Sequence, residues 1–460
     1  MSSTSPLRYP DTSSPQVMTT RAWWLLILNF LLPGSPQALA GNRKFGKFGM
    51  GATLIGLAVV VLVFVLSAIW PTVLFFLTTW GPSLFVGQVA LVFYGLLWIV
   101  YTIDTLRLIK LVKTGPRARW WVSAVSALAL VATSGTALYS ANLAGSLNNA
   151  LGEIFVAGPA EPPVDGRYNF LLLGGDSGDD RQGLRTDTAQ VISINASTGE
   201  TTIIGLPRDL QDVPFSAGSP MLKFYPKGYS QDSGEYCTRW ACLNTIYVAA
   251  ELDHPELYPN AKKNGSSPGI EAMREAAQGI TGLKIQYSVL VDMQRMSNLI
   301  DAMGGVNVTV DERVALAIPG VPASQVGEWI EAGPQHLDGY HAMMYARSRW
   351  GGTGDYDRMV RQQKLQEAML AQMNPATVLA KFQEIAKAGA QVMKTTVPQS
   401  MLGYFVELGL KAKKLPIVHV ELTPEAEFPV DTEYPDYDAI HKYLAQVLAP
   451  KTPTPTPTKK

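Results

Sequence analysis

The chain has 460 residues, of which 47% are hydrophobic and only 17% are charged, and its 38 basic and 38 acidic residues give no net charge. This length exceeds one ordinary domain, and the composition is too apolar for a purely soluble protein. We therefore expect a membrane part. The lack of a net positive charge argues against nucleic acid as a partner.

Residues 22–141 are predicted to form a membrane domain. They contain three runs without charged residues, at about 52–70, 84–103 and 120–140. Each run is close to the ~20 residues that cross a bilayer as a helix, so we expect three transmembrane helices. Residues 22–41 are also uncharged, but Pro33-Gly34-Ser35-Pro36 interrupts them. We interpret this segment as re-entrant or short, and a fourth crossing is the alternative.

The basic residues of the loops predict the orientation of these helices. Arg43, Lys44 and Lys47 precede the first predicted span, and further basic residues fill the loop between the second and third spans. The loop between the first and second spans has no charged residue. Loops rich in Lys and Arg stay on the cytoplasmic side. We expect a cytoplasmic or disordered N-terminus over residues 1–21, in a multi-pass protein of the cell membrane whose C-terminal part is extracytoplasmic.

The rest of the chain reads as a linker at 142–166, an α/β domain at 167–448 and a Pro/Thr tail at 449–460. In the domain, apolar runs alternate with helical patterns, which predicts a mixed central sheet flanked by helices. Residues 196–200, with Gly199, predict a hairpin turn. Strands are expected at 170–173, 189–194, 202–206, 288–291, 306–310 and 416–422, and helices at 270–280, 293–302, 357–373, 382–414 and 437–448.

The two cysteines, Cys237 and Cys242, lie close together in the predicted exported domain. A disulfide closing a small loop is our first interpretation, and two reduced, buried thiols are the alternative. A zinc site would need more ligands than the neighbouring sequence offers.

Acidic residues and arginines collect where the predicted strands end. Asp176 and Asp187 have no histidine or cysteine nearby, so they suit a hard cation such as Mg²⁺. Asp179 and Asp180 between them are either further ligands or part of a solvated loop. Five arginines stand at the edges of apolar elements: Arg185, Arg208, Arg347, Arg349 and Arg358. A guanidinium group binds phosphate with two parallel hydrogen bonds, although unrelated surface ion pairs are the alternative. If residues 344–349 are extended, Arg347 and Arg349 point the same way.

Several stretches carry a resemblance when they are taken in order and spacing. They are LLLGGDS, RTDTAQVISIN, IIGLPRD, LNTIY, LIDAMGGVNVTV, GPQHLDGYHAMMYARSR and DYDRMVRQQK, within residues 168–373. Together they resemble the LytR-CpsA-Psr family of bacterial cell-envelope proteins. The insertion with the two cysteines is similar to actinobacterial members. The resemblance implies an exported α/β domain, tethered by N-terminal membrane helices, that attaches a glycopolymer from a polyprenyl diphosphate carrier to peptidoglycan.

The resemblance also implies roles for residues. Asp176 and Asp187 look like the ligands of Mg²⁺ (or Mn²⁺). The set that binds the diphosphate looks like Arg185, Arg208, Arg347, Arg349 and Arg358, with Gln362. The implied partners are a polyprenyl diphosphate-linked glycan, the peptidoglycan acceptor and the membrane. The general base stays open, with Asp187 and Asp209 as candidates. A lipid-binding protein, a diphosphatase and a membrane-bound regulator acting as a transcriptional attenuator are the alternatives.

Overall fold

The computed structural model describes residues 7–176, 185–230, 242–316, 321–348, 350, 355–372 and 393–449. The chain divides into two compact units, Met1–Asn149 and Ala150–Lys460. The predicted tail beyond residue 449 lies outside the described residues.

The first unit is helical. Its helices are α1 (Pro15–Leu31), α2 (Ser35–Ala40), α3 (Arg43–Ile69), α4 (Pro71–Thr79), α5 (Gly81–Ile109) and α6 (Pro116–Ile154), the last of which continues into the second unit. In the described part of the chain, three helical segments are long and apolar enough to cross a membrane: Arg43–Ile69, Gly81–Lys113 and Pro116–Ile154. They contain the three spans expected from the sequence. On α3, apolar side chains such as Leu62 and Phe64 are exposed, as lipid-facing side chains would be.

The uncharged segment 22–41 is divided between α1 and α2 and packs against α5. The Asn29 amide donates to Thr102 Oγ1 at 3.1 Å, and the Gln37 amide donates to Thr105 Oγ1 at 3.0 Å. All four side chains are buried, so these hydrogen bonds satisfy polar groups that would otherwise be costly in an apolar environment. The two helices have 17 and 6 residues, fewer than the ~20 that a regular crossing requires.

The third long helix extends further than the sequence suggested. It continues to Ile154, so residues 142–154, the first part of the predicted linker, are helical. This segment is rich in Ala, Leu and Asn and has no proline before Pro159. Its small and polar residues are typical of a linker, but they do not stop a helix that has already formed.

A mixed sheet organises the second unit. Among the described residues its strand order is β10-β3-β2-β1-β4-β9. The strands are β1 (Arg167–Asp176), β2 (Arg185–Asn195), β3 (Thr201–Leu206), β4 (Tyr287–Asp292), β9 (Met393–Thr395) and β10 (Val418–Glu421). Two small ladders pair β5 (Val306–Val310) with β8 (Gly333–Leu337), and β6 (Val314–Ala315) with β7 (Trp329–Ile330).

The strand directions define one functional edge of the sheet. β1 runs parallel to β4, β3 runs parallel to β10, and β2 is antiparallel to both β1 and β3. The carboxyl ends of β1, β3, β4 and β10 therefore lie at the same edge as the amino end of β2. We call this the site edge. Ligands of open α/β sheets bind beyond the carboxyl ends of strands.

Helices cover both faces of the sheet. On one face, Leu171, Val191 and Ile204 pack with α8 (Pro268–Thr281) and α13 (Tyr437–Leu448) in the largest core cluster. On the other face lies α11 (Asp355–Gln372), whose Leu365 and Met369 pack with α9 (Met293–Met303), α10 (Gly339–Arg347) and β5. Among the described residues, two further α-helices are α7 (Leu243–Val248) and α12 (Leu402–Ala412). The predicted class, a mixed sheet flanked by helices, is confirmed.

The hairpin between β2 and β3 forms where the sequence placed it. Asn195 Oδ1 accepts hydrogen bonds from the main-chain N–H groups of Ser197 and Thr198, both at 3.0 Å. Gly199 has a φ of +82°, a conformation that glycine adopts without steric cost. The two strands then pair antiparallel from Ala189↔Leu206 to Ile194↔Thr201.

Two segments have other conformations than those considered from the sequence. Arg347 and Arg349 would point the same way if residues 344–349 were extended, but α10 includes Arg347, because Asp338 Oδ1 accepts from the His341 N–H at 2.9 Å and starts a helix there. Residues 382–414 were expected to be mostly helical. Helix α12 is present, but Met393–Thr395 is a strand paired with β4, and residues 382–392 lie outside the described part of the chain.

Candidate functional site

The main chain places both predicted metal ligands at the site edge. Asp176 ends β1 and pairs with Arg185, which begins β2. The register then runs through Gly175↔Thr186 and Gly174↔Thr188, so that Asp187 is skipped. Such a β-bulge redirects a side chain and is common beside active sites. The side chains of Asp176, Arg185 and Asp187, and all of Arg349, lie outside what the structure describes.

One buried amide joins this strand to the helix that carries Arg347. Thr188 Oγ1 donates to Gln362 Oε1 at 2.9 Å, and Gln362 Nε2 donates to the carbonyl oxygen of Ala346 at 3.3 Å. Thr188 follows Asp187 in β2, and Ala346 precedes Arg347 in α10. Gln362 is only 5% exposed, so both hydrogen bonds are sheltered from water. The structure thus brings β2 together with the neighbouring helices α10 and α11, which are far from β2 in sequence.

Helix α11 contributes Arg358 to the same place. Residues four apart lie on one face of a helix, so Arg358 and Gln362 share a face. Arg358 is 3% exposed. Arg347, the last residue of α10, is exposed to solvent. Two of the predicted arginines therefore flank Gln362. Arg358 is buried, and Arg347 is exposed.

Arg361 on the same helix was not predicted and holds the end of α10 in place. Its Nε donates to the carbonyl of Tyr345 at 3.1 Å, and its Nη2 donates to the carbonyl of Ser348. Burial lowers the pKa of the Arg361 guanidinium below its ordinary value. Carbonyls at a helix C-terminus lack partners within the helix, and a cation there satisfies them. We assign Arg361 the task of positioning Arg347.

Arg208 follows the end of β3 by two residues and also lies at the site edge. Its carbonyl oxygen accepts from the Asn244 N–H at 3.1 Å, and the carbonyl of Leu210 accepts from the Leu243 N–H at 3.0 Å. The start of α7 therefore holds the loop that contains Arg208. The neighbouring Asp209 accepts a hydrogen bond from Thr432 Oγ1 at 3.4 Å.

The comparison with protein families decides what kind of domain this is. The LytR_cpsA_psr family matches residues 156–441, more than half of the chain. This chain belongs to the LytR_cpsA_psr family. The match includes the whole sheet, Gln362 and the arginines placed around it, so the predicted membership is confirmed.

Curated relatives of this LytR_cpsA_psr chain are moderately similar to it. The probable cell wall biosynthesis protein LcpB of Corynebacterium glutamicum is 28% identical over 233 residues, which are 46% of this chain and 44% of LcpB. The polyisoprenyl-teichoic acid--peptidoglycan teichoic acid transferase TagU of Enterococcus faecalis is 27% identical over 233 residues, which are 50% of this chain and 61% of TagU. The chain thus spans about half the length of these relatives. The crystal structure of B. subtilis TagV covers 62% of this chain and 97% of TagV, with 19% identity and a TM-score of 0.42.

A carboxylate that the sequence reasoning missed lies at the site edge of this LytR_cpsA_psr domain. Glu421 ends β10 and pairs in register with Gly205 of β3. Gln363 Nε2, on α11, donates to Glu421 Oε1. Burial raises the pKa of Glu421 from its ordinary value of 4.5 to about 7, although the hydrogen bond from Gln363 opposes this rise. No sequence signal marks Glu421, because its place depends on pairing with a strand more than two hundred residues away.

The family domain also contains the predicted disulfide region. Cys242 is disulfide-bonded and precedes α7, which agrees with the first interpretation of the sequence. Cys237 lies outside the described residues. The disulfide restrains the chain just before α7, the helix that holds the loop of Arg208.

The donor set available for a metal can be judged from residue types and main-chain positions. Asp176 and Asp187 are carboxylates on adjacent strands at one edge, and hard divalent cations prefer oxygen ligands of this kind. These residues fit Mg²⁺ or Mn²⁺. Within the described side chains, no group of three or more His, Cys, Asp or Glu residues offers another site for a metal ion.

Proposed function

We propose that this chain is a membrane-anchored phosphotransferase that attaches a glycopolymer from a polyprenyl diphosphate carrier to peptidoglycan. The observation that carries the proposal is the pair of hydrogen bonds made by Gln362, which joins the strand of Asp187 to the helix of Arg347. The name of the relative TagU describes a transfer of this class for that protein.

The basic side chains around Gln362 suit a diphosphate. Arg208, Arg347 and Arg358 each offer a planar fork of N–H donors, which matches the oxygens of a phosphate group. Arg358 is buried, and electrostatic attraction is stronger where water is excluded. A substrate with two linked phosphates would bring several negatively charged oxygens to these three cationic side chains.

We propose that Asp176 and Asp187 hold Mg²⁺ or Mn²⁺. When bound, the ion would supply positive charge to oppose the charge that develops on the phosphate oxygens. Thr188 and Gln362 fix the strand beside Asp187, and Arg361 fixes the end of α10 beside Arg347. Positioning and electrostatic stabilisation supply most of the rate in phosphoryl transfer.

The carrier's lipid would lie against the sheet face that α11 partly covers. On this face Phe170, Leu172 and Ile192 are apolar and partly exposed. Apolar side chains that water reaches stabilise a protein when a hydrocarbon chain covers them. We place this unit outside the cell, because the basic loops around the first and third membrane helices favour the cytoplasmic side.

The experiment that tests the proposal uses the full-length chain in detergent micelles. A polyprenyl diphosphate glycan and peptidoglycan are supplied with and without Mg²⁺, and glycan attached to peptidoglycan is measured. We expect Mg²⁺-dependent transfer by the wild type. Asp187→Ala should lower the rate by about 10²-fold or more, the usual cost of removing one group that stabilises charge.

Asp253→Ala is the matched control, because Asp253 is exposed and lies in a different part of the domain. It should transfer at the wild-type rate. Full Mg²⁺-dependent activity of Asp187→Ala would refute the assignment of the metal site. Cleavage of the carrier without attachment to peptidoglycan would identify a diphosphatase, and binding without cleavage would identify a lipid-binding protein.

A further inference from the structure

We propose that Glu421 is the general base that accepts the proton of the acceptor hydroxyl, with Gln190 orienting that hydroxyl and Gln363 holding the carboxylate of Glu421. The proposal rests on the transfer reaction proposed above. It names a third carboxylate, on a strand outside the motifs that carry the family resemblance.

Glu421 lies close to the residues placed around the diphosphate. It ends β10, and its register partner, Gly205 of β3, lies three residues before Arg208. Its hydrogen-bond partner Gln363 is the neighbour of Gln362 on α11. Glu421 is therefore next to the diphosphate-binding residues along both the strand and the helix.

Gly205 leaves space for the carboxylate of Glu421. A Cβ atom on Gly205 would lie 2.1 Å from Glu421 Oε2, much closer than side-chain atoms approach one another. The carboxylate therefore lies over Gly205 and leans across β3 towards β2. Any side chain at position 205, the fifth of the six residues of β3, would displace it.

The next strand, β2, carries a buried amide beside Gly205. Gln190 pairs in register with Gly205, so Gln190, Gly205 and Glu421 stand side by side on one face of the sheet. The main chains of Gln190 and Glu421 are about 10 Å apart, two strand spacings. Gln190 is 1% exposed, yet neither its Nε2 nor its Oε1 has a hydrogen-bond partner, and Glu421 Oε2 has none either.

Buried polar atoms are almost always hydrogen-bonded, so three such atoms around one glycine indicate a missing polar ligand. A hydroxyl group fits this set, because it donates one hydrogen bond and accepts others. It would donate to Glu421 Oε2 and accept from Gln190 Nε2. The amide would then hold the oxygen while the carboxylate takes the proton.

The acceptor oxygen forms a bond to the phosphorus that carries the glycan, and its proton passes to Glu421. The bond between that phosphorus and the bridging oxygen breaks, and polyprenyl phosphate leaves with the electron pair. A general base works best when its pKa is near the working pH. Burial raises the pKa of Glu421 to about 7, which meets this condition.

Charged groups on the surrounding elements are engaged elsewhere. On α11, Glu367 contacts His419 Nε2 at 2.7 Å, and Lys364 pairs with Asp311. Arg361 binds the carbonyl oxygens at the end of α10. Arg358 on α11 and Arg208 after β3 are assigned to the diphosphate. The ionisation of Glu421 is therefore governed by burial and by Gln363.

The test compares Glu421→Gln with the wild type in the full-length chain, using the same carrier and peptidoglycan. We expect transfer to fall by about 10²-fold or more, the usual contribution of a general base, while affinity for the carrier stays within about twofold. The control is Glu425→Gln, because Glu425 is exposed and four residues away. It should keep the wild-type rate.

A pH profile of the transfer rate distinguishes a catalytic role of Glu421 from a structural one. It also provides a test if Glu421→Gln fails to fold. The wild-type rate should rise with pH up to about 7, because Glu421 must lose its proton first. In Gln363→Met the hydrogen bond that lowers this pKa is lost, so the rise should move to higher pH. If Glu421 had only a structural role, Gln363→Met would not change the pH at which the rate rises.

The outcomes distinguish the two proposals. If the wild type transfers glycan and Glu421→Gln does so equally well, the inference on Glu421 is overturned while the transferase proposal stands. An unmoved pH profile in Gln363→Met overturns it as well. If the wild type itself transfers nothing, the proposed function fails and the general base fails with it.

Discussion

The buried carboxylate of Glu421 makes a prediction about stability that needs no substrate. Its folded-state pKa, about 7, is above the ordinary value of 4.5. A group with a raised pKa contributes stability that is fully present below its unfolded pKa and is lost as the pH rises through its folded pKa. The folded protein should therefore lose stability between about pH 4.5 and pH 7 because of this residue.

The magnitude follows from the difference between the two pKa values. A tenfold change in proton affinity is worth about 1.4 kcal/mol, so the rise from 4.5 to about 7 corresponds to about 3 kcal/mol. Water that reaches the partly exposed side chain lowers this figure to about 2 kcal/mol. In domains of 150–250 residues each kcal/mol moves the Tm by about 2–4 °C. We expect a difference of about 5 °C.

The assay is thermal denaturation of the full-length chain in detergent at pH 5, 6, 7 and 8. Glu421→Gln has no proton to lose, so its Tm should exceed that of the wild type progressively as the pH rises. Glu425→Gln, the exposed control, should follow the wild type throughout. A Tm difference between Glu421→Gln and the wild type that does not change with pH would refute the reasoning.

Three further predictions concern the fold and the site. Gly279→Ala in α8 should lower the free energy of unfolding by about 2 kcal/mol or more, because its Cβ would lie 1.9 Å from a main-chain carbonyl oxygen. Gly409→Ala in α12 should raise the free energy of unfolding by up to about 1 kcal/mol, because its Cβ would meet nothing within 4 Å. Chemical denaturation measures both changes. Gln362→Leu should lower the free energy of unfolding by about 2 kcal/mol, because it leaves Thr188 and a main-chain carbonyl without their buried partner. Arg347→Ala should weaken binding of the lipid diphosphate about tenfold in a binding titration, and unchanged affinity would show that Arg347 is only structural.

Local sequence patterns predicted the parts of the fold that short-range interactions determine. The hairpin around Gly199 follows from a turn that Asn195 stabilises through its own neighbours. Helix α13 begins and ends where the pattern placed it, because Asp436 caps it by accepting from the Ala439 N–H at 2.9 Å. In such cases the sequence contains both the hydrophobic period and the signal that ends the element.

Elements and site residues that depend on distant partners were harder to predict. Strand β9 has three residues inside a helical pattern and exists because β4 pairs with it. Glu421 occupies an ordinary apolar strand, and only its register with Gly205 places it at the site edge. The order of the motifs identified Gln362 as part of the site, but the two hydrogen bonds that explain its position require the folded chain.

The hydrogen bonds of Gln362 also explain why an amide, and not an acid of nearly the same shape, suits this position. Thr188 donates to one side of the group, and a carbonyl oxygen accepts from the other. A glutamate could satisfy the first contact but would set oxygen against oxygen in the second, deep in the domain. It would also add negative charge where the proposed substrate brings its own. Glutamine can thus join α10 to β2 and stay neutral towards an anion.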